Sequence, residues 1–543
     1  MADRILAFLT LLFVVSATHV SAQSGLPPSQ SPAGQENKLS SKLRVVVREF
    51  RFKGNTVFSQ KELSKVVAPY LDREITSEEL ETARRAITFL YVNAGYINSG
   101  AILEDQDVED GAITITIVEG VLSSIELRGN QWLRSSYLKD RVQTYAGSPL
   151  NMNDLREGLQ ILRQNPNIRQ INAELQPGTS LGAGILDMSI KEEDPFRLGL
   201  QIDNHRPPSV GAEEITLLAA DLNLTGHSDP LDLSYGIAHN SADGFEFSGA
   251  DVVSGSYTFP ITRYDTTIEV HGSRNDTSIV EEPFTTLGIT SETSTYGITL
   301  RHPLYRTANR ELAFAITGER RHNETFLKGE PVDLSPGSTN GMTTVSVLRF
   351  SQEWIDRSQE QVLALRSTFN FGLDVLGATE NRTARDGEFL SWVGQFQYVR
   401  RLFHTANQLV LRTTMQWTDE PLLALEQISV GGAESVRGYR ENQLVRDQGV
   451  VSSLEFRVPV LYDKDGNGIV QLAPFFDYGG AWDVGGGTPK PTSIYSAGIG
   501  LLINPNQHIN AQLYWGHPFV NVKTRGDDIQ DLGIHFKVIF RAL

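Results

Sequence analysis

The sequence predicts a transmembrane β-barrel of about 16 antiparallel strands preceded by two small α+β domains, and three observations indicate this fold class. About 16 short segments of residues 195–543 alternate apolar and polar side chains. Residues 44–194 contain an internal repeat. The rest of the chain beyond the N-terminus lacks an apolar run of about 18 residues, which a spanning helix would need. Because successive strand side chains point to opposite faces, such alternation gives every strand one wall for lipid and one for water.

The N-terminus has the pattern of a secretory signal peptide over residues 1–22. Arg4 supplies the positive charge, an apolar stretch follows, and the small residues at 20–22 form a cleavage site. Residues 23–43 are rich in Pro, Ser and Gln, so we expect a flexible lead-in that cannot bury a core.

Composition excludes several classes of function. The chain has no cysteine, which excludes disulfides, lipoprotein anchoring and thiol catalysis. Its net charge is −17 and it lacks a basic cluster, so we expect no nucleic acid among its partners. Motifs for nucleotide binding, serine hydrolysis and zinc hydrolysis are absent from the sequence, which predicts no enzyme activity and no cofactor.

The repeat predicts two domains of the same fold, over residues 44–119 and 120–194. Residues 50–55 (FRFKGN) match residues 125–130 (IELRGN) at an offset of 75, and apolar positions continue to match at that offset. Each copy has the order strand, helix, helix, strand, strand. In the first copy we predict these elements at residues 45–53, 59–71, 77–93, 97–103 and 113–118.

The barrel strands are predicted from the alternation alone. They lie near residues 196–205, 214–224, 229–239, 245–261, 266–276, 292–304, 311–321, 343–354, 361–373, 389–402, 407–418, 450–460, 469–480, 494–505, 508–519 and 532–543. In the ninth strand Leu365, Phe369 and Phe371 face lipid, while Arg366 and Asn370 face the lumen. Because the lumen side is polar, we expect a wet interior.

Two short motifs lie in the predicted barrel, one in a long loop and the other on a strand. The long loop at residues 419–449 contains Val436, Arg437, Gly438 and Tyr439. The thirteenth strand contains Phe475, Asp477 and Gly479, which strand parity directs into the lumen. A carboxylate in a barrel wall needs a partner, and an arginine on an inward-folded loop supplies a bidentate one. We therefore predict that Arg437 pairs with Asp477.

These features together resemble a known family. The two repeats resemble POTRA domains, and the Val-Arg-Gly-Tyr loop with the Phe-x-Asp-x-Gly strand resembles the POTRA-plus-barrel superfamily. Two such domains before 16 strands resemble the two-partner secretion transporters of the hemolysin-activator and filamentous-hemagglutinin-transporter type, over nearly all of residues 44–543.

The resemblance implies a function and a location. It implies capture of a large, β-helical exoprotein by residues 44–194, at positions not identified, and its export to the cell surface without nucleotide hydrolysis. It implies a Gram-negative outer membrane, with the N-terminal domains in the periplasm. The implied partners are the unfolded exoprotein, outer-membrane lipid and the barrel-assembly machinery, and the implied state is a monomer.

Two alternatives stay open, a membrane-protein insertase of the same superfamily and a passive porin. Residues 463–468 (DKDGNG) match the first half of a calcium loop, but Pro474 stands where the closing glutamate is required, so we predict a polar periplasmic turn and no metal. The sequence also departs from the family. Residues 23–43 have too many prolines and glycines for a pore-plugging helix, and the chain lacks a terminal aromatic residue.

Overall fold

The computed structural model describes residues 39, 44–108, 110–238, 251–281, 284–381, 385–402, 406–523 and 528–542. The predicted signal peptide and nearly all of the predicted lead-in lie outside the described residues. The described chain divides into two compact units. The first unit contains the described residues up to Ile87 together with Ala101–Ile117. The second unit contains Thr88–Gly100 together with the described residues from Val118 onward.

Within the described residues, the first small domain contains five strands and two α-helices. They are β1 (Arg44–Val47), β2 (Glu49–Lys53), α1 (Gln60–Val67), β3 (Arg73–Thr76), α2 (Ser77–Asn93), β4 (Gly100–Ile102) and β5 (Ala112–Val118), with a 3-10 turn at Ala68–Tyr70. Strand β5 lies between β2 and β4 and is parallel to β2, while β1 pairs with β3. Helix α1 begins at a capping box formed by Ser59 and Glu62.

Local chemistry explains where this domain differs from the predicted elements. The α-helix ends at Val67 rather than at residue 71, because Pro69 lacks the N–H that a continuing helix would bond. The predicted first strand is divided at Arg48, which lets β1 leave the main sheet and pair with β3. Strand β3 has only four residues and was not predicted.

The second small domain has the predicted order of elements. They are β6 (Val121–Arg128), α3 (Ser135–Ala146), α4 (Met152–Arg163), β7 (Ile168–Pro177) and β8 (Ala183–Glu192). Strand β8 is central, with β6 parallel on one side and β7 antiparallel on the other. Leu138, Val142 and Leu155 of the helices pack on Leu186 and Met188 of the sheet, and all five are buried. This packing is the core of the domain.

The remaining chain forms the predicted barrel, and the 16 wall strands are confirmed within the described residues. They are β9 (Phe196–Asp203), β10 (Glu214–Asp221), β11 (Leu231–Ala238), β12 (Asp251–Pro260), β13 (Thr267–Ser278), β14 (Ile289–Arg306), β15 (Arg310–Leu327), β17 (Met342–Arg357), β18 (Gln361–Leu373), β19 (Phe389–Arg401), β20 (Gln408–Thr418), β23 (Gln448–Tyr462), β24 (Gly468–Trp482), β25 (Ser493–Asn506), β26 (Ile509–Pro518) and β27 (Ile534–Arg541). Strand β27 pairs with β9 and closes the barrel.

Short elements lie in the connections. The strands β16 (Glu330–Pro331), β21 (Ile428–Val430) and β22 (Leu444–Arg446) and the 3-10 helices Pro208–Val210, Thr285–Leu287, Ala424–Glu426 and Ile529–Leu532 are of this kind. Strands β14 and β15 have 18 residues each and are longer than predicted. The predicted turn at residues 463–468 is held by the Asp463 carboxylate, which accepts the backbone N–H groups of Asp465 and Asn467.

The two faces of the barrel follow the alternation. Leu365, Phe369 and Phe371 of β18 are exposed on the outer face. Asn370 of the same strand faces inward and accepts a hydrogen bond from Arg349 at 3.0 Å. No helix of the described residues has the length and apolar character to cross a membrane.

The second small domain rests on the short turns of the barrel. Arg141 of α3 lies 2.7 Å from Asp265 in the β12–β13 turn, and Arg306 at the end of β14 lies 2.5 Å from the same carboxylate. Glu157 of α4 accepts the Ala308 N–H at 2.6 Å in the next turn. The short-turn end of the barrel is therefore the end that faces this domain.

Candidate functional site inside the barrel

The loop between β20 and β23, residues 419–447, is called loop 6 and folds into the barrel. Strands β21 and β22 form its antiparallel stem, with Val430 opposite Leu444. Apolar side chains of the loop form one buried cluster with side chains of the wall. The cluster contains Val430, Val436, Tyr439 and Leu444 of the loop and Val451, Ala481 and Ile494 of strands β23, β24 and β25. The loop is thus packed against the lumen side of these strands.

Arg437 and Asp477 are brought together as a bidentate ion pair. The Arg437 Nε donates to Asp477 Oδ2 and Nη2 donates to Oδ1, both at 2.8 Å. The Arg437 backbone N–H also donates to Oδ2, at 3.0 Å. The side chains of Arg437 and Asp477 are 4% and 0% exposed. Three charge-assisted bonds therefore fix both the side chain and the backbone of the loop to strand β24.

The ion pair is part of a larger charge network on the neighbouring strand. The Arg437 Nη1 also binds Glu455 of β23, and Arg457 Nε binds the other oxygen of that carboxylate at 2.6 Å. Two arginines and two carboxylates alternate in this network, so its formal charge is zero. This balance satisfies each charge, which a buried ionic group requires.

Aromatic rings cover the guanidinium of Arg437. Its Cζ lies 3.7 Å from the ring centroid of Phe475 and 4.6 Å from that of Tyr514 on β26. The two rings pack edge to face with centroids 5.9 Å apart. A cation over an aromatic face is attracted by the ring quadrupole, and these rings also exclude water from the ion pair. Phe475 thus contributes to the site through its face.

Two glycines allow the loop to approach the wall. A Cβ on Gly479 would lie 2.2 Å from Cγ1 of Val430 and 2.8 Å from Cγ2 of Val436. Gly438 has a φ of +94°, and a Cβ there would lie 2.8 Å from the carbonyl oxygen of Gly516 on β26. Any larger residue at either position would move the loop away from the strands.

Tyr439 fixes the tip of loop 6 to two other parts of the barrel. Its hydroxyl lies within hydrogen-bond distance of the carbonyl oxygens of Tyr495 and Val520, at 3.0 and 3.2 Å, and accepts the Val520 N–H at 3.0 Å. The hydroxyl therefore links the loop to strand β25 and to the loop after β26.

Loop 6 has further anchors that sequence reasoning missed. Glu426 binds Arg349 of β17 through both carboxylate oxygens, at 2.9 and 3.0 Å. At the other end of the loop, Asp447 binds Arg385 and accepts the Leu422 N–H at 3.1 Å. These contacts hold the base of the loop while Arg437 holds its tip.

Glu455, Arg457 and Tyr514 were also missed as members of the site. Strand parity places Glu455 and Arg457 on the lumen side, so their position was available from the sequence. Their pairing with Arg437 was not, because it depends on the path of loop 6. Among the described residues, no group of three or more His, Cys, Asp or Glu side chains is placed to hold a metal ion.

Two family models match parts of this chain. A family model described as "Haemolysin secretion/activation protein ShlB/FhaC/HecB" matches residues 182–503, which is more than half of the chain. The chain belongs to this family. A second model, "POTRA domain, ShlB-type", matches residues 45–120.

Individual members of the family are similar along most of their length. The "Outer membrane transporter CdiB" of Dickeya dadantii (strain 3937) is 25% identical over 427 residues, which cover 77% of this chain and 73% of that protein. The "Hemolysin transporter protein HpmB" of Proteus mirabilis is 22% identical over 411 residues, with coverages of 73% and 69%. The solved structure of CdiB from Escherichia coli has a TM-score of 0.71 at 21% identity and covers 99% of this chain and 95% of its own, so it shares the fold.

Family membership decides the broad function. Members of the ShlB/FhaC/HecB family are outer-membrane transporters rather than enzymes. The protein is therefore a two-partner secretion transporter, with its barrel in the outer membrane and its POTRA domains in the periplasm. The matches favour export over the insertase alternative.

Proposed function

We propose that the protein captures one large, unfolded exoprotein in the periplasm with residues 44–194 and passes it through the barrel to the cell surface. The observation behind this proposal is a loop that Arg437 and Asp477 seat inside a barrel whose opposite end adjoins the second small domain. A passive porin would need neither feature. The relatives are described as transporters, and hemolysin is named for one of them.

The edge of the second domain offers a physical basis for capture. Strand β7 has ten residues and lies at the edge of its sheet. Asn172, Ala173, Glu174 and Gln176 of this strand are exposed. An unfolded chain has unpaired backbone groups, and an open strand edge pairs with them without close reading of sequence. We expect the exoprotein to add to this edge, or to that of the first domain, as an extended strand.

The remaining parts of the proposal concern energy and partners. The exoprotein supplies the driving force, because each β-coil that folds outside opposes back-sliding, and no nucleotide is hydrolysed. The protein acts as a monomer, and the barrel-assembly machinery inserts it into the membrane. The ion pair of Arg437 and Asp477 keeps loop 6 seated and is required for export.

Site-specific photo-crosslinking tests the capture step. A photoreactive residue at Glu174 stands on the edge strand β7, and the same residue at Ser189 on the central strand β8 is the matched control, since both positions are exposed. We expect the cognate exoprotein, held in mid-transport, to crosslink at residue 174 far more than at residue 189. Equal labelling, or labelling of the barrel alone, would contradict capture at this edge.

A further inference from the structure

A second arginine of loop 6 makes contacts that are separate from the buried ion pair. Arg440 binds Asp531 through Nε and Nη2, each at 2.6 Å. Its Nη1 donates to Glu281 at 2.7 Å. The side chains of Arg440, Glu281 and Asp531 are 11%, 20% and 17% exposed, respectively. All three groups are thus largely shielded, which strengthens their attraction relative to a surface pair.

The partners of Arg440 belong to two different loops at the end of the barrel far from the second small domain. Glu281 lies in loop 3 between β13 and β14, of which residues 279–281 and 284–288 are described. Asp531 lies in the 3-10 helix before β27, in loop 8, of which residues 519–523 and 528–533 are described. Arg440 of loop 6 therefore joins two loops that connect different pairs of wall strands.

Gln530 adds a third loop to the same assembly. Its Nε2 donates to the carbonyl oxygens of Asn204 and Arg206, at 2.7 and 2.8 Å, in loop 1 between β9 and β10. Its Oε1 accepts the Glu441 N–H at 2.9 Å, and the side chain is 0% exposed. Loops 1, 3 and 8 thus meet at residues 440 and 441 of loop 6.

These contacts differ from those of Arg437 in what they hold. Arg437 binds strands β23 and β24 of the wall, so it fixes loop 6 itself. Arg440 and Glu441 bind residues of other loops rather than residues of the wall strands. Release of these contacts would open the mouth without unseating Arg437.

We propose that Arg440 is a positioning residue for export, and that with Asp531, Glu281 and Gln530 it forms an extracellular latch that joins the described parts of loops 1, 3 and 8 at the exit. The inference rests on the proposed export function. An exoprotein that leaves the lumen must pass this end of the barrel, so the latch opens during transport and closes afterwards. The ion pair of Arg437 stays formed in both states.

Channel recordings of the full-length protein in planar bilayers test the closed state. Arg440→Ala removes every side-chain bond of the latch arginine, and the open fraction should rise roughly tenfold, as the loss of charge-assisted hydrogen bonds worth about 1.4 kcal/mol predicts. Arg446→Ala is the matched control on the same loop, since Arg446 pairs with Asp483 of the loop between β24 and β25 at 3.3 Å. The control should keep the open fraction of the wild type.

Two further variants keep the test valid if Arg440→Ala does not fold. Asp531→Asn and Glu281→Gln retain the shape of each partner and remove its charge, so each should raise the open fraction by a smaller factor. Folding is checked by the gel mobility of unheated protein. An unchanged open fraction in the folded Arg440→Ala variant, or in both carboxylate variants together, would overturn the latch.

Crosslinking tests whether the latch opens during export. The chain has no cysteine, so Arg440→Cys with Asp531→Cys provides a unique pair of thiols for a short bismaleimide, which forms a thioether with each. We expect the crosslinked protein to stay assembled but to stop secreting the exoprotein, and secretion at the level of the untreated variant would overturn the inference. If the wild type itself secretes no exoprotein, the export function fails, whereas the channel recordings still decide the closed state.

Discussion

The clearest energetic prediction concerns the buried pair of Arg437 and Asp477. Arg437→Ala leaves the Asp477 carboxylate, which is 0% exposed, without its two guanidinium bonds. Removing one member of a buried pair costs about 3–5 kcal/mol because the other charge is stranded. Glu455 keeps Arg457 as a partner, so the stranded charge is that of Asp477 alone. We therefore expect a loss of about 3–5 kcal/mol in the free energy of unfolding.

A double-mutant cycle isolates this term. Arg437→Ala with Asp477→Ala removes the stranded charge, so the double variant should be more stable than the sum of the single losses predicts, with a coupling of about 2–3 kcal/mol. Arg437→Lys should restore less than half, because an ammonium cannot reproduce the planar fork. The measurement is urea unfolding in mixed micelles, followed by tryptophan fluorescence and gel mobility.

A lumen-facing arginine that makes none of the hydrogen bonds holding Arg437 is the matched control. Arg412 of β20 lies 3.7 Å from Glu434 and is 30% exposed, so Arg412→Ala should cost less than about 1 kcal/mol. Additive losses in the cycle, or a loss for Arg437→Ala no larger than that of Arg412→Ala, would refute the reasoning.

Three other predictions concern the seating of loop 6. Gly479→Leu should expel loop 6 from the lumen, because a Cβ there would lie 2.2 Å from Val430. Trypsin added to intact cells should then cleave loop 6. Gly318→Leu is the control and should leave the loop protected, because a Cβ at Gly318 meets nothing within 4 Å. Tyr439→Phe should lower the free energy of unfolding by about 1–3 kcal/mol, since it removes the hydroxyl that binds Tyr495 and Val520. Burial raises the pKa of Glu441 from 4.5 to about 7, and the negative charges of Glu434 and Asp203 act in the same direction. The hydrogen bond from the Ala433 N–H lowers this pKa and offsets only part of the rise. The protonated form thus stabilises the fold below pH 4.5, and this contribution is lost as the pH rises through 7. Glu441→Gln should flatten the stability profile over that window, and a profile equal to that of the wild type would exclude the effect.

The sequence predicted the barrel well because alternation is a local property. Each strand must present apolar residues to lipid at every second position, so the number of strands and their facing follow from parity. The ends of the strands were less predictable. Strands β14 and β15 extend beyond the apolar stretch, where nothing in the local pattern distinguishes a long strand from a polar loop.

The site was predictable only in part. Arg437 and Asp477 were found because a lumen-facing carboxylate requires a cation and an arginine stands in the long loop. Tyr514 and Arg440 were not found, because their roles depend on which strands and loops meet in three dimensions, at separations such as that of Arg440 and Asp531. Side-chain partners across a closed barrel leave no local signal in one sequence.

The most direct test of the central claim is secretion by cells that carry Arg437→Ala. The protein is produced together with its cognate exoprotein, and the exoprotein is quantified in the medium and in the periplasm, with the amount of folded barrel matched to the wild type. We predict that the variant barrel reaches the outer membrane while the exoprotein stays in the periplasm. Secretion at the wild-type level would contradict the claim that the seated loop is required for export.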